Sequence, residues 1–570
     1  MNREAELHYS NIPSIDISRC SLTKAHDHKK TFNTGELVPI YVDDLVPGTT
    51  VKMKMSEVVR MMTPIAPVMD NAYMDIMFFF VPYRLVWEHW INFMGENDTA
   101  PWTQSTNYEI PQISAPSGGW AKGSLADHFG LPTKVYGNGW SCNALPFISY
   151  CKIYNDWWRD ENLTTPVYIT TGDSTTTGKN KGNNYDPVTD TECGAAPLKA
   201  AKLHDLFTSA LPQAQKGPSI AVPLGQTAPV VWGKSQYSGT PAPSPTTNIE
   251  GDYATLYKNG QDVLTWSGVD ATDTTISTSI ARETTQALFA DLSEAVGATV
   301  NQLRQAFAVQ KFYERAARGG SRYIETIRSH FTVTSPDFRL QRSEYLGGKR
   351  VPINMNQVVQ TDATSKELVP ENKQAQGGQY YTEWSQKDLT PQGNLAAYSA
   401  TADSENDMFT YSTTEHGLIM GLAVVRTNHS YQQGLDRMWS KKSMFDFYWP
   451  ELANLGEQAI LNKEIFLQGT SADDEAFGYQ EAWYEYRYKP DIITGELRSN
   501  YDQSLDIWHY GDDYASLPSL GSQWIEEPTE NMARTLAVQN HDQFFGDFYF
   551  APKYILPMPL YSVPGLIDHH

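Results

Sequence analysis

The sequence predicts a mainly β protein with long loops. Three observations carry this reading. Aromatic residues are abundant, with 32 Tyr, 22 Phe and 15 Trp. Turn-formers are abundant too, with 33 Pro and 39 Gly, and only 19% of the 570 residues are charged. Short β-prone runs punctuated by turn residues read as packed sheets, not as a helical bundle. A chain of this length can hide roughly 75% of its unfolded surface.

The elements follow in order. Residues 1–45 are polar and show no helical or strand period, so they are expected to form an extended arm. Within it Arg19, Lys24, Lys29 and Lys30 outnumber the one nearby acid, Asp27. Pro47 and Gly48 mark a turn. Val51-Lys-Met-Lys-Met-Ser56 alternates apolar with polar, the pattern of a half-buried strand. A second strand is predicted over 72–81, apolar on both faces toward its end. Residues 85–94, with Trp87 and Trp90, and residues 148–159 read as short helices. Residues 169–192 are a polar loop.

Residues 226–283 change character and are rich in Ser and Thr. Within them Tyr253, Tyr257 and Trp266 lie in two β-prone runs flanking Asn259 and Gly260, the strongest local hairpin signal. This segment is predicted to be an inserted, exposed β-excursion. Residues 291–317 form the best helix, with Val296, Val300, Leu303 and Phe307 on one apolar stripe. Gly319 and Gly320 end it. Residues 324–333 look strand-like, 361–408 are polar, and 417–426 read as a buried strand. The tail from Gln543 is aromatic and Pro-rich with little period. No internal repeat is present, so a tandem pair of domains is not supported.

The formal net charge is −22. Taken whole, the chain should repel nucleic acid and anionic membranes. Screening over about 8 Å means that charge must be read locally. Arg304, Lys311, Arg315 and Arg318 fall on one helical face. From Arg304 through Arg322 to Arg350 there are ten Lys/Arg against four acids, a local +6. This run predicts either a surface for phosphates or an acidic neighbour, or a solvated face with internal ion pairs.

Motifs for chemistry are missing. Gly233-Lys234-Ser235 ends like a phosphate-binding loop, but Ala228 stands where that loop needs Gly. The four cysteines, Cys20, Cys142, Cys151 and Cys193, are scattered and read as reduced, buried thiols. His26 and His28, the terminal histidines, and Asp473, Asp474 and Glu475 read as solvated. No catalytic, cofactor or metal site is predicted. Residues 1–6 lack the apolar region of a secretory leader, and 77–81 is too short to span a bilayer, so a soluble protein made in a cytoplasm is expected. The rival reading is a secreted carbohydrate-binding or glycoside-hydrolase-like β protein. That reading needs a leader and two carboxylates about 5–10 Å apart in a groove.

Specific segments carry a family likeness. They are FNTGELVP (32–39), LVPG (45–48), FFVPYRLVW (79–87), IYNDWWRDEN (153–162), HDLFTSALP (204–212), ARGGSRY (317–323), SPDFRLQ (335–341), FGYQ (477–480), EYRYKP (485–490) and PMPLYSVPGLID (557–568). In these segments and their order the chain resembles the major capsid proteins of the Microviridae, especially the gokushovirus branch. Residues 226–283 and 361–408 match poorly.

The resemblance implies a single eight-stranded jelly roll over 46–570 with long loops. It implies a homo-oligomer, a sixty-copy T=1 icosahedral shell around a circular single-stranded DNA genome. It also implies minor virion proteins such as a DNA pilot protein and an internal scaffold, a host surface receptor, and assembly in the host bacterial cytoplasm without membrane insertion. The insertion at 226–283 would be a protrusion at the threefold axes that meets the host, with Tyr253, Tyr257, Asn259 and Trp266 as receptor candidates. Arg304, Lys311, Arg315, Arg318, Arg322, Lys29 and Lys30 are the candidate nucleic-acid contacts. The aromatic loops 143–160 and 543–567 are expected to join copies.

Overall fold

The computed structural model describes residues 18–96, 108–136, 140–182, 184–218, 220, 230–234, 286–290, 300–353, 356–359, 367–374, 380–387, 395–399 and 403–561. The chain divides into two compact units, 1–216 with 314–570, and 217–313.

Ten strands of the first unit build two antiparallel sheets: β1 (Cys20–Thr23), β2 (His26–Phe32), β3 (Val38–Leu45), β4 (Thr50–Met61), β5 (Ala72–Pro82), β6 (Glu344–Pro352), β7 (Asp403–Ser412), β8 (Gly417–Thr427), β9 (Phe544–Phe550) and β10 (Lys553–Leu556). One sheet runs β1-β10-β4-β9-β2, with β7 also pairing β4. The other runs β6-β5-β8-β3. Helix α1 (Leu145–Ile153) belongs to the loops after β5, and α2 (Val300–Gly319) and α3 (Tyr323–Phe331) precede β6.

The two sheets share one core. Val51, Met53, Met55, Val59, Phe544, Phe548 and Phe550 from the first sheet meet Ile40, Met74, Ile76, Phe78, Phe80, Ile419 and Val425 from the second. Each such side chain contributes roughly 1.5–3 kcal/mol when fully buried. The second sheet is buried on its other face as well. There Phe79, Val81, Leu418, Met420, Leu422 and Val424 pack against Trp87, Trp90, Phe147 and Tyr150. This double burial explains why 72–81 and 417–426 are apolar at successive positions. Gly421 is required at its place, because a Cβ there would lie 2.7 Å from the Phe78 ring.

Buried charges pin the frame. Asp75 on β5 is held by Arg350 of β6 at 2.6 Å and by Arg426 of β8. Burial pushes its carboxyl up, but the two guanidiniums outweigh this and hold it below the usual range. Lys349 of β6 reaches Glu57 of β4 at 2.7 Å, an ion pair that joins the two sheets. Beyond β8, His429 bridges Asp512 at 3.1 Å and Glu527 at 3.0 Å. Lys202 meets the same Asp512 at 3.3 Å. Burial works against the imidazolium, yet Asp512 and Glu527 outweigh it and raise His429 to about 10. Burial likewise works against the Asp512 carboxylate, and His429 and Lys202 hold it well below the usual range.

Several expectations are corrected. The expected arm over 1–45 is strand from Cys20, and its first seventeen residues lie outside the described set. In β2 the half-buried positions are His28 and Lys30, with Asp27 and Lys29 outward, so its period is invisible to hydropathy. The strand-like segment 324–333 is the helix α3. The Glu325 carboxylate accepts the Arg322 backbone N–H at 3.0 Å and starts it. Within the tail, 544–550 alternate strictly, with Phe544, Phe548 and Phe550 inward. Within the polar stretch 361–408, for which no element was predicted, strands Glu367–Gln374 and Tyr380–Lys387 pair antiparallel. The 85–94 helix is only a short 3-10 turn at Tyr83–Leu85 and one helical turn at Trp90–Phe93. Asp473 is buried, not solvated, and accepts three backbone N–H groups at 2.7–3.0 Å.

The buried histidine makes stability pH-dependent. A raised folded-state pKa gives stability that is complete below the unfolded value of 6.5 and lost as pH rises through about 10. Asp512 acts oppositely, losing its contribution as pH falls below 3.8. Urea unfolding across this range should show an alkaline loss in the native protein that largely disappears in His429→Gln. An alkaline slope of equal size in both proteins contradicts the assignment.

Candidate functional site

The basic run is the first candidate surface. Arg304, Lys311 and Arg315 are exposed on α2, with no ion-pair partner among the described residues. Arg328 and Arg339 beyond it are exposed in the same way. The other half of the run is spent inside the fold. Arg318 pairs with the buried Glu457. Arg322 pairs with Glu161 at 2.6 Å and Glu325 at 3.1 Å. It also donates to the carbonyls of Arg159 and Asn155. Arg342 faces Asp337 at 3.6 Å and covers the Trp157 ring. Lys349 and Arg350 hold Glu57 and Asp75. The local +6 therefore overstates the free charge, because Glu457, Glu161, Glu57 and Asp75, all distant in sequence, pair with four of its cations.

The arm lysines divide similarly. Lys29 is exposed and pairs with Asp547 at 3.1 Å and Asp27 at 3.6 Å. The Lys30 ammonium donates to the carbonyls of Pro39 and His128, and burial pushes it down to about 7. A partly neutral amine held by two carbonyls is a poor phosphate contact. Tyr253, Tyr257, Asn259 and Trp266 lie outside the described residues. The ends of their segment are brought together, since Val230–Lys234 pairs antiparallel with Gln286–Ala290.

The two aromatic loops expected to join copies differ in exposure. The loop 143–160 is internal, because Phe147, Tyr150, Tyr154 and Trp158 are buried against the four-stranded sheet. In 543–561 Phe545, Tyr549, Ile555, Met558, Leu560 and Tyr561 are exposed, as expected of a surface loop. A further exposed apolar ridge, not expected from the sequence, comprises Met438, Trp439, Met444, Phe445, Phe447, Tyr448 and Trp449. Trp439 is 70% exposed and Phe445 63%. A second exposed set, Tyr323 and Phe331 on α3 with Val333 and Phe338 after it, accompanies the ridge. Such density of exposed aromatic side chains marks an interaction surface. The sequence signal was present as MWSKKSMFDFYWP (438–450), an aromatic run with no strand or helix period. The four thiols are unpaired, three of them buried and Cys142 partly so.

Comparison with known proteins gives a consistent picture. The Capsid protein (F protein) family matches residues 10–566. Capsid protein VP1 of Bdellovibrio phage phiMH2K is 40% identical over 99% of this chain and 98% of its own length. Capsid protein VP1 of Spiroplasma virus 4 is 40% identical, covering 98% and 97%. Capsid protein VP1 of Chlamydia phage 1 is 35% identical, again covering 98% and 97%.

The division of the arginines is testable by stability. Arg322→Ala leaves Glu161 and Glu325 without their shared cation and should cost roughly 1–3 kcal/mol. Arg315→Ala should change stability by less than about 0.5 kcal/mol. Chemical denaturation of the two variants checks this; equal losses would contradict it.

Proposed function

The chain belongs to the Capsid protein (F protein) family, and from that premise we propose that sixty copies of it close a T=1 icosahedral shell around circular single-stranded DNA. It is a structural subunit of a virion, and its relatives are capsid proteins, not enzymes. The carbohydrate-binding alternative is not favoured. The observation that carries the assembly reading is the exposed apolar ridge 438–449 on a subunit whose sheets already share a complete core. Closed shells need extensive contacts between copies, often above about 2,000 Å² in obligate complexes. We assign those contacts to the ridge and to the α3 surface.

The finer fold reading is an eight-stranded jelly roll extended by extra edge strands. Two facing antiparallel sheets support it, as does the pairing of strands distant in the chain, β4 with β9 and β5 with β8. Packaging needs cations that the fold has not already used. Arg304, Lys311 and Arg315 meet that condition, and Lys29 meets it less well. Arg318, Arg322 and Lys30 serve the fold instead. The segment 226–283 is read as a surface protrusion for a host receptor. Its support is the two-stranded ladder at its foot and its poor match to the family segments. Assembly in the host cytoplasm with a pilot protein and an internal scaffold completes the reading.

Electron microscopy of the purified protein should show closed spherical particles; strictly monomeric protein overturns the reading. Arg304→Glu with Lys311→Glu and Arg315→Glu should lower packaged DNA while shells still form. Unchanged DNA content would count against that face. Deleting 240–270 should leave shells intact and impair adsorption to host cells, and normal adsorption would remove the protrusion from its role.

A further inference from the structure

Three histidines and a lysine meet where β2 packs on β3 and on the short helix Leu125–His128. His26, His28 and His128 line one cavity of about 180 Å³, together with Tyr41 and Phe129. No carboxylate among the described residues lines it. The His28 Nδ1–H donates to the Ile40 carbonyl oxygen at 2.7 Å. Lys30, next along the same face of β2, donates to the carbonyls of Pro39 and His128, so it ties β2 to both neighbours. His128 itself is only 7% exposed.

The surroundings oppose a charge on either inner histidine. Burial first, and then the Lys30 ammonium, push His28 down to about 4 and His128 to about 3. His26 adds to the effect on His28, and His28 to that on His128, while the Ile40 carbonyl works the other way on His28. From the short helix, Asp127 favours the charge on Lys30, and its carboxylate accepts the Gly123 N–H at 2.8 Å. From β3, Asp43 is taken up by Lys24 at 2.7 Å. From β9, Asp547 is taken up by Lys29 at 3.1 Å on the outward face. Both inner histidines are therefore uncharged at neutral pH. In acid each must take up a proton against burial and a neighbouring cation.

β2 is the element that can yield. It is the end strand of its sheet, and β9 stays paired with β4 when β2 is gone. We propose that His28 and His128 form an acid-sensitive latch, whose protonation frees β2 and the chain before it from β3 and the short helix while the core between the two sheets stays folded. A lowered folded-state pKa gives stability that is complete above the unfolded value of 6.5 and lost as pH falls toward the folded value. Each histidine then raises the opening constant by up to about tenfold per pH unit in that window. The latch is a property of the folded subunit and does not rest on the shell reading.

Backbone hydrogen exchange of the full-length protein, corrected for the intrinsic pH dependence of exchange, reads the opening constant of 26–32. Between pH 6.5 and pH 5 that constant should rise about a hundredfold in the native protein, and about tenfold in His28→Gln or His128→Gln alone. β5 and β8 should stay protected throughout. The latch is overturned by a flat response in 26–32, by an equal rise in β5 and β8, or by an undiminished rise in the double variant. Exchange of the imidazole Cε1 hydrogens, read by mass spectrometry on the native protein, decides the matter if the variants do not fold. Titration midpoints of His28 and His128 well below 6.5 are expected, and midpoints at or above 6.5 overturn the proposal.

Discussion

The structure depends on a four-stranded sheet that is buried on both faces. Its central strands β5 and β8 serve two cores at once. A one-residue slip would exchange every side chain between those cores. Two features hold the register. Asp75 is clamped between arginines from the strands on either side, and Gly421 alone fits under the Phe78 ring. A clamped carboxylate in such a place specifies alignment more than it adds stability. On one face the sheet supports the six-stranded partner. On the other it supports the helical layer that carries α1 and the segment 153–162.

The parts of the fold legible in the sequence were those where hydropathy and period coincide. The strands at 51–56, 72–81 and 417–426 were legible, as was the helix that becomes α2. Other parts were hidden for physical reasons. In β2 the inward side chains are His28 and Lys30, which hydropathy scores as polar. In α3 the β-branched residues Ile324, Thr326 and Ile327 suggest strand, while a capping carboxylate from Glu325 decides for helix. The tail strand β9 sets Phe544, Gly546, Phe548 and Phe550 inward against Phe545, Asp547 and Tyr549 outward, so both faces look aromatic until burial separates them.

The candidate site was legible in composition but not in pairing. The ten basic residues from Arg304 to Arg350 left open whether they form a charged surface or internal ion pairs. Their partners Glu57, Asp75, Glu161 and Glu457 come from other parts of the chain, which sequence spacing cannot place. The same holds for aromatics. Trp157 and Trp158 looked like surface contacts and are packed inside, whereas Trp439 and Phe445 drew no attention and stand in solvent. Among the described residues, the folded subunit leaves exposed the apolar run 438–449 and the cations Arg304, Lys311 and Arg315.

The central claim is that neighbouring copies cover that ridge. Hydrogen exchange of residues 438–449, compared between assembled particles and dissociated subunits, tests it most directly. The account predicts strong slowing of exchange there on assembly, with β5 and β8 slow in both states. Exchange in 438–449 that is equally fast in particles and subunits would contradict it.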